Sequence, residues 1–260
     1  MLDFRNNFKG FHMLAVIGGS GLTQLGNLEV THREVFRTPF GEPSGALTFG
    51  RVGSQEIVFL ARHGYGHTIP PHRVNYRANL WALTRMAGAE GVVSVASVGG
   101  VRADFRPGTV VVPDQIIDYT WGRNATFHEG NGSQVVHIDF TEPYDRGLRQ
   151  QLLAAAERAG EAMLDGGVYA ATQGPRLETA AEVNRLERDG ADLIGMTGMP
   201  EASLARELGV PYAAVCVVAN WAAGRGDSAH AIDFAGIEEV LHVSLGRVRR
   251  VIEHLCTEVR

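Results

Sequence analysis

Polar residues that could bind an anion stand where apolar runs of the sequence end in glycine. Gly19-Ser20-Gly21 follows one apolar run, Arg62 and His63 precede Gly64 after a second, and Asn220 closes a third. Glycine turns leave backbone N–H groups free to face a negative charge, although the same residues can form a plain tight turn. A buried arginine needs an anionic partner, which is either a ligand or a structural Asp. Together the strand ends indicate an oxyanion site with an organic ligand beside it.

The elements that must position these residues alternate along the chain. Apolar runs that predict strands lie at 13–19, 56–64, 91–100, 108–119 (broken at Pro113) and 210–220, and a strand followed by a loop is predicted within 167–178 and within 192–200. Helical patterns lie at 75–88, 143–160, 179–190, 201–209 and 236–255. This alternation predicts one α/β domain with a mixed, largely parallel central sheet flanked by helices. Ligands of such sheets bind at the carboxyl ends of the strands.

The first residues of the chain have a different character. Residues 1–12 show no clear period and are interpreted as an N-terminal extension or a tag remnant, so that the domain spans 13–260. Lys9, the only lysine of the chain, lies in this segment. The predicted domain therefore has no Schiff-base or P-loop lysine, and an anion must be held by arginine, histidine, hydroxyl groups and backbone N–H groups.

Composition argues against several classes of function. The net charge is −5 and no basic run occurs, so nothing indicates a nucleic-acid partner. No apolar stretch reaches the ~18 residues of a membrane helix. Cys216 and Cys256 form no C-x-x-C pair, and a cytoplasmic location is expected. His63, His67 and His72 are separated by glycines and prolines rather than placed on one helix face, so we expect no metal site.

Six segments carry a resemblance to a known family. The chain resembles the trimeric purine nucleoside phosphorylase and methylthioadenosine phosphorylase family in AVIGGSGL, LARHGYGHTIPPHRVNYRANLWAL, VGGVRADFRPGTVVVPDQIIDYT, TQGPRLET, GADLIGMTGMPEASLARELGVPYA and VANWAAG, in the family's order from Met13 onward. The resemblance implies that phosphate, a co-substrate, breaks the bond between ribose C1′ and purine N9. It also implies a homotrimer, or a dimer of trimers, that needs no metal or organic cofactor.

The resemblance assigns roles to individual positions. Phosphate-binding positions are Ser20, Arg62, His63, Ala96, Ser97 and Thr197. Ala96 replaces a hydroxyl residue of some relatives, which leaves its backbone N–H as the contact. Met196 matches the residue under the ribose. The candidate catalytic residues are His63, Glu178 and Asn220, because the transition state carries positive charge on the ribose and growing negative charge on the purine.

Two positions predict the purine base. Relatives that cleave methylthioadenosine carry Asp where this chain has Asn220 and Ala222, whereas relatives that cleave 6-oxopurines carry Asn at the first position. Glu178 matches the residue that accepts a hydrogen bond from N1–H of a 6-oxopurine, and Leu177 replaces a neighbouring aromatic residue. The motif therefore favours a 6-oxopurine. Alternatively, Glu178 caps the helix that begins near Thr179.

The 5′ end of the ribose is predicted separately. Relatives that cleave inosine place a histidine where this chain has Ile237, and Val240 and Leu241 follow it. An aliphatic residue suits an apolar methylthio group better than a hydroxyl. The resemblance also implies that His137 reaches this pocket from a neighbouring subunit. Alternatively, Ile237 belongs to the helix core.

An oxopurine base with an apolar 5′ group describes 5′-methylthioinosine, the substrate of a bacterial branch of the family. We expect phosphorolysis of this nucleoside to hypoxanthine and 5-methylthioribose 1-phosphate. The nearest alternatives are a 5′-methylthioadenosine phosphorylase and an inosine/guanosine phosphorylase. A nucleosidase that uses water and a non-catalytic nucleoside-binding protein are more distant alternatives.

Overall fold

A computed structural model describes residues 11–22, 27–130 and 135–257. Most of the expected N-terminal extension, including Lys9, lies outside the described residues. Its last two residues contact the domain, since Phe11 packs against the core and against Gly91. The backbone N–H of His12 donates to Glu90 Oε2 at 2.7 Å.

Within the described ranges, eleven strands form one sheet. They are β1 (Met13–Gly18), β2 (Glu29–Glu34), β3 (Leu47–Val52), β4 (Gln55–Ala61), β5 (Gly91–Gly100), β6 (Val110–Val112), β7 (Gln115–Asp118), β8 (Leu164–Asp165), β9 (Val168–Ala171), β10 (Leu193–Gly195) and β11 (Tyr212–Trp221). The helices are α1 (Tyr76–Trp81), which continues as a π-helical turn over Ala82–Met86, α2 (Arg146–Arg158), α3 (Ala180–Arg188), α4 (Gly198–Glu207) and α5 (Phe234–Cys256).

The central strands of the sheet are buried on both faces, which explains why they read as continuous apolar runs. Along β1, Ala15 and Ile17 join one buried cluster, whereas Leu14 and Val16 join the other. Residues of α1 and α4 pack in the first cluster, and residues of α2 and α5 pack in the second. Because successive side chains of a strand point to opposite faces, a strand covered on both sides must be apolar throughout.

The pairing along β5 creates the crevice that the site occupies. One edge of β5 pairs with β11 over almost its whole length. The opposite edge is divided between two strands: β1 runs parallel to it and pairs as far as Ser94, while β10 runs antiparallel and pairs at Gly99 and Gly100. The carboxyl ends of β1 and β10 therefore approach each other beside residues 95–98 of β5. A break in strand order of this kind is where open α/β sheets bind ligands.

The predicted α/β fold is confirmed, with parallel and antiparallel pairs in one sheet. Pro113 separates β6 from β7, as the sequence predicts. The antiparallel strands β2 and β3 were missed. The reason lies in their sequences. Because all six residues of β2 are exposed, its sequence EVTHRE contains no apolar run, and Gly50 interrupts the apolar run of β3. A β-carbon on Gly50 would lie 2.4 Å from the Glu29 carbonyl oxygen, so the close pairing of the two strands excludes a side chain there.

Candidate active site

A cavity of about 690 Å³ opens beside the divided edge of β5, large enough for a nucleoside and a phosphate. The structure brings most of the predicted site residues to its wall: Ser20, Arg62, His63, Ala96, Ser97, Leu177, Glu178, Met196, Thr197, Asn220, Ala222, Ile237 and Leu241. These residues come from the ends of separate strands and from α5. Their shared position depends on the fold rather than on sequence proximity.

Two predicted residues, Val240 and His137, lie outside this wall. Ile237 and Leu241, which do line the cavity, are one turn apart on α5 and share the face toward it. Val240 precedes Leu241 by one residue, a rotation of about 100°, and is directed away from that face. His137 is exposed and does not line the cavity of its own chain. Its expected role from a neighbouring subunit stays a prediction.

Arg62 is fully buried and already has an anionic partner. Its Nε and Nη2 donate to the two carboxylate oxygens of Glu201 at 2.8 and 2.9 Å, and both side chains are inaccessible to solvent. Nη2 also donates to Ser94 Oγ at 2.6 Å, and Nη1 donates to the Val95 carbonyl at 3.0 Å. Four of the five N–H groups are used, so one on Nη1 remains for a ligand.

Glu201 explains why a guanidinium can exist at this depth. Ser94 and Tyr212 donate further hydrogen bonds to its Oε1 at 2.8 and 2.9 Å. Although burial opposes the charge of Arg62, the carboxylate raises the pKa of the guanidinium above its usual value. Sequence analysis left a structural carboxylate open but missed Glu201. The available signal was an acidic residue within the otherwise apolar start of α4, MPEASLA.

Gly19 keeps the remaining N–H of Arg62 within reach of the cavity. A β-carbon on Gly19 would lie 2.5 Å from the Val95 carbonyl oxygen and 3.1 Å from Arg62 Nη1. The turn after β1 can therefore pass this close to β5 and to the guanidinium only without a side chain. Ser20 follows directly, so its hydroxyl lies at the same end of the cavity.

His63 is a neutral hydrogen-bond acceptor at this end of the cavity. Its Nδ1 lies 2.8 Å from the Ile69 carbonyl oxygen. Because a carbonyl only accepts, Nδ1 carries the proton and Nε2 keeps its lone pair. Burial, together with the charge of Arg62, lowers the pKa of His63 to about 4. Near neutral pH the histidine therefore adds no positive charge to the site.

Glu178, another residue of the cavity wall, is held by Thr172. The Thr172 hydroxyl donates to Glu178 Oε1 at 2.7 Å. The helix cap next to it is made by other residues: the Thr179 hydroxyl accepts from the Glu182 N–H at 3.1 Å, and the Glu182 carboxylate accepts from the Thr179 N–H at 2.8 Å. The alternative interpretation of Glu178 as the cap is therefore wrong. Its carboxylate lies on the cavity wall.

A β-bulge immediately precedes Asn220, which also lines the cavity. The pairing of β11 with β5 shifts between Val218 and Asn220, so that Asn220 lies opposite Gly99. An extra residue in a strand bends it and redirects the side chains that follow. Asn220 Nδ2 donates to the Trp221 carbonyl at 2.6 Å. Ala222 is buried beside Gly99 and leaves this part of the wall without charge.

A third part of the wall is apolar. Ile237 and Leu241 line it as predicted, and Ile232 and Phe234 join them. Phe234 is 67% exposed although it lies at the cavity mouth. Sequence analysis missed both residues. The spacing of 234, 237 and 241 along one helix face was the signal for Phe234.

Among the described residues, no group of three or more His, Cys, Asp or Glu side chains is placed to hold a metal ion. In the same ranges, no helix combines the length and apolarity needed to cross a membrane. The expected absence of metal and cofactor stays a prediction.

Comparison with known proteins identifies the family. Residues 13–256 match the model of the phosphorylase superfamily. The chain belongs to this superfamily. The family expected from the sequence is thereby confirmed.

Relatives within the superfamily share much of the sequence. A probable S-methyl-5′-thioinosine phosphorylase of Xanthomonas campestris pv. campestris is 53% identical over 215 residues, which cover 83% of this chain and 86% of the relative. A 6-oxopurine nucleoside phosphorylase of Pyrococcus furiosus is 46% identical over 81% of this chain and 80% of its own length. Methylthioadenosine phosphorylase from Schistosoma mansoni in complex with adenine superposes with a TM-score of 0.88 at 32% identity, covering 94% of this chain and 90% of that one.

The lowered pKa of His63 predicts a pH dependence of stability. The unfolded histidine takes up a proton near pH 6.5, whereas the folded one does so only near pH 4, so stability is lost as pH falls through this window. Between pH 7 and 5 the free energy of unfolding of the wild type should fall by about 2 kcal/mol more than that of His63→Gln. Urea unfolding at both pH values measures the free energy of unfolding of each protein. Because the other groups titrate in both proteins, their contributions cancel when the two losses are compared. Equal losses would contradict the prediction.

Proposed function

We propose that the chain cleaves 5′-methylthioinosine with phosphate and releases hypoxanthine and 5-methylthioribose 1-phosphate. One observation carries the proposal: a single cavity is lined by the candidate phosphate-binding residues, called here the anion end, by Glu178 and Asn220, called here the base end, and by an apolar wall. These parts match the three chemical parts of the reaction, which are phosphate, a 6-oxopurine and a methylthio group. The superfamily membership and the similarity to a probable S-methyl-5′-thioinosine phosphorylase support the same reaction.

The base end discriminates by hydrogen bonding. A carboxylate at Glu178 accepts from N1–H, which hypoxanthine has and adenine lacks. The Nδ2–H of Asn220 that the Trp221 carbonyl does not use can donate to N7 and O6 together, because these two acceptors lie on the same edge of the base. A mispaired buried polar group costs about 1–3 kcal/mol, so two such contacts separate the bases by roughly a hundredfold. Because the cap of α3 is made by Thr179, the Glu178 carboxylate is available for this contact.

The apolar wall discriminates at the other end of the nucleoside. Ile232, Phe234, Ile237 and Leu241 offer carbon atoms from their side chains to the 5′ position. A 5′-hydroxyl buried against them loses its hydrogen bonds to water without compensation, whereas a methylthio group gains from leaving water. This wall favours 5′-methylthioinosine over inosine.

The anion end supplies hydrogen bonds more than net charge. The Arg62–Glu201 pair is neutral as a unit, and His63 is neutral. In the proposed complex, the hydroxyls of Ser20, Ser97 and Thr197, the Ala96 N–H and the free N–H of Arg62 donate to phosphate oxygens. His63 Nε2 accepts a hydrogen bond from the P–OH group of monohydrogen phosphate and stays neutral. These contacts leave the nucleophile with its own negative charge, which stabilises the positive ribose.

Bond exchange then takes place at C1′, with Met196 placed under the ribose. A phosphate oxygen forms the new bond to C1′ as the bond from C1′ to N9 breaks. The electron pair moves onto the purine, and Asn220 stabilises it by donating to N7. No step in this scheme requires a metal or an organic cofactor.

The assembly and location belong to the same proposal. We place the enzyme in the cytoplasm as a homotrimer, or a dimer of trimers, in which His137 from a neighbouring subunit completes the apolar end. The exposure of His137 supports this role. The two cysteines are buried and free, as expected for a protein of a reducing compartment.

Substrate comparison tests the proposed reaction. With phosphate present, kcat/KM for 5′-methylthioinosine should exceed that for 5′-methylthioadenosine by roughly a hundredfold, and inosine should also be poorer. Chromatography of the released base gives kcat/KM for each of the three substrates. Equal or faster cleavage of 5′-methylthioadenosine would refute the base assignment, and inosine as the best substrate would refute the apolar wall. Release without phosphate would indicate a nucleosidase.

Changing the base end should change the preferred base. Asn220→Asp together with Ala222→Asp places two carboxyl groups where one amide and one methyl group stand. Because a carboxyl group can accept from the 6-amino group and hold a proton for N7, the ratio of kcat/KM for the 6-oxopurine over the 6-aminopurine substrate should fall about tenfold or more. Ala222→Ser, of similar size and without charge, is the control. An unchanged ratio in a folded double variant would contradict the prediction.

A further inference from the structure

Arg123 makes an unusual set of hydrogen bonds outside the cavity. Its Nη1 donates to the carbonyls of Met196 and Met199 at 2.8 and 2.6 Å. Its Nη2 donates to the carbonyls of Thr172 and Gln173 at 3.3 and 2.9 Å. Nη1 also lies 3.2 Å from the Tyr76 hydroxyl, and Nε donates to Gln173 Oε1 at 3.3 Å. All six of these acceptors are neutral oxygens.

The position of Arg123 follows from the sheet. Strands β7, β9 and β10 are parallel neighbours, so their carboxyl ends meet at one edge. Arg123 follows β7, Thr172 follows β9 and Met196 follows β10. The Tyr119 N–H donates to the Ala171 carbonyl at 2.8 Å and keeps the exit of β7 beside that of β9. One planar guanidinium with five donors can therefore link the three segments that follow these strands, called here the strand exits.

Each exit that Arg123 holds carries part of the site. Thr172, whose carbonyl it binds, donates through its hydroxyl to Glu178 at the base end. The carbonyls of Met196 and Met199 flank Thr197 at the anion end. The same segment begins α4, whose Glu201 fixes Arg62. Arg123 itself does not line the cavity.

We propose that Arg123 is a positioning residue that fixes the Thr172–Glu178 segment relative to the Met196–Glu201 segment. Through these two segments it sets the distance between the base-binding and the phosphate-binding groups without touching either substrate. The inference rests on the proposed function, because the two segments are assigned to base and phosphate by that proposal. A lysine cannot replace it, since an ammonium is a compact donor with three N–H groups and no planar fork.

The test compares two arginine variants of the full chain. Arg123→Ala should lower kcat/KM for 5′-methylthioinosine about a hundredfold, as expected when reacting groups are displaced by about 1 Å. KM should rise for both phosphate and nucleoside, and the ratio between 6-oxopurine and 6-aminopurine substrates should narrow. Arg247→Ala is the matched control, because Arg247 also donates to two backbone carbonyls, Gly108 at 2.9 Å and Ala162 at 2.6 Å. None of these three residues lines the cavity, so the control should keep both KM values.

Chemical rescue separates positioning from general stability. A recess of about 310 Å³ lies beside Arg123, lined by residues that include Tyr76, Gly122 and Asn124, and can admit a small cation. Millimolar guanidinium chloride should partly restore the lost activity of Arg123→Ala, whereas sodium chloride at the same ionic strength should not. If Arg123→Ala does not fold, Arg123→Lys is measured instead and should show the same rise in both KM values.

The outcomes distinguish this inference from the proposed function. Wild-type KM values and an unchanged base ratio in the folded Arg123 variant would overturn the inference while wild-type turnover upholds the reaction. A loss equal to that of Arg247→Ala would overturn it too, since it would reflect stability alone. Absence of turnover in the wild type would refute the proposed function instead. The affinity of Arg123→Ala for hypoxanthine would then test the positioning role. An affinity equal to that of the wild type would overturn the inference, and weaker binding would support it.

Discussion

The divided edge of β5 is the constraint on which the site depends. Strand β1 pairs with β5 only as far as Ser94, and β10 pairs with β5 only at Gly99 and Gly100. The edge of β5 between these positions therefore faces a crevice rather than a neighbouring strand. The turn after β1 carries Ser20 to this crevice, and the exit of β10 carries Met196 and Thr197. Continuous pairing along this edge would close the crevice. The catalytic geometry is thus a consequence of strand order.

The buried pair of Arg62 and Glu201 determines the electrostatics of that crevice. A buried ion pair contributes little net stability, but loss of one partner leaves an uncompensated charge that is strongly unfavourable. Here the pair fixes the orientation of a guanidinium whose last N–H faces the cavity. In the proposed reaction, phosphate is bound beside this neutral pair and neutral His63 by directed hydrogen bonds. The proposed nucleophile would therefore keep its charge for the reaction at C1′.

Arg123 and the bulge at Ala219 bear on a second requirement of the proposed reaction, the placement of the base relative to the phosphate. The bulge directs Asn220, while Arg123 holds the segments that bear Glu178 and Thr197. Reacting groups lose much of their rate advantage when they shift by about 1 Å. Rigid strand exits linked by one guanidinium provide this precision more directly than independent loops.

The sequence by itself determined the α/β class and the order of most elements. Continuous apolar runs that end in glycine are local signals, whereas the predicted roles of Asn220, Glu178 and Ile237 depend on the family resemblance. Polar β2 carries no such signal and was missed. Only the tertiary structure decided that Arg62 pairs with Glu201, 139 residues away, that Thr179 rather than Glu178 caps α3, and that Arg123 joins three strand exits. These contacts join residues distant in the chain or depend on side-chain orientation, and neither property is encoded in a local pattern.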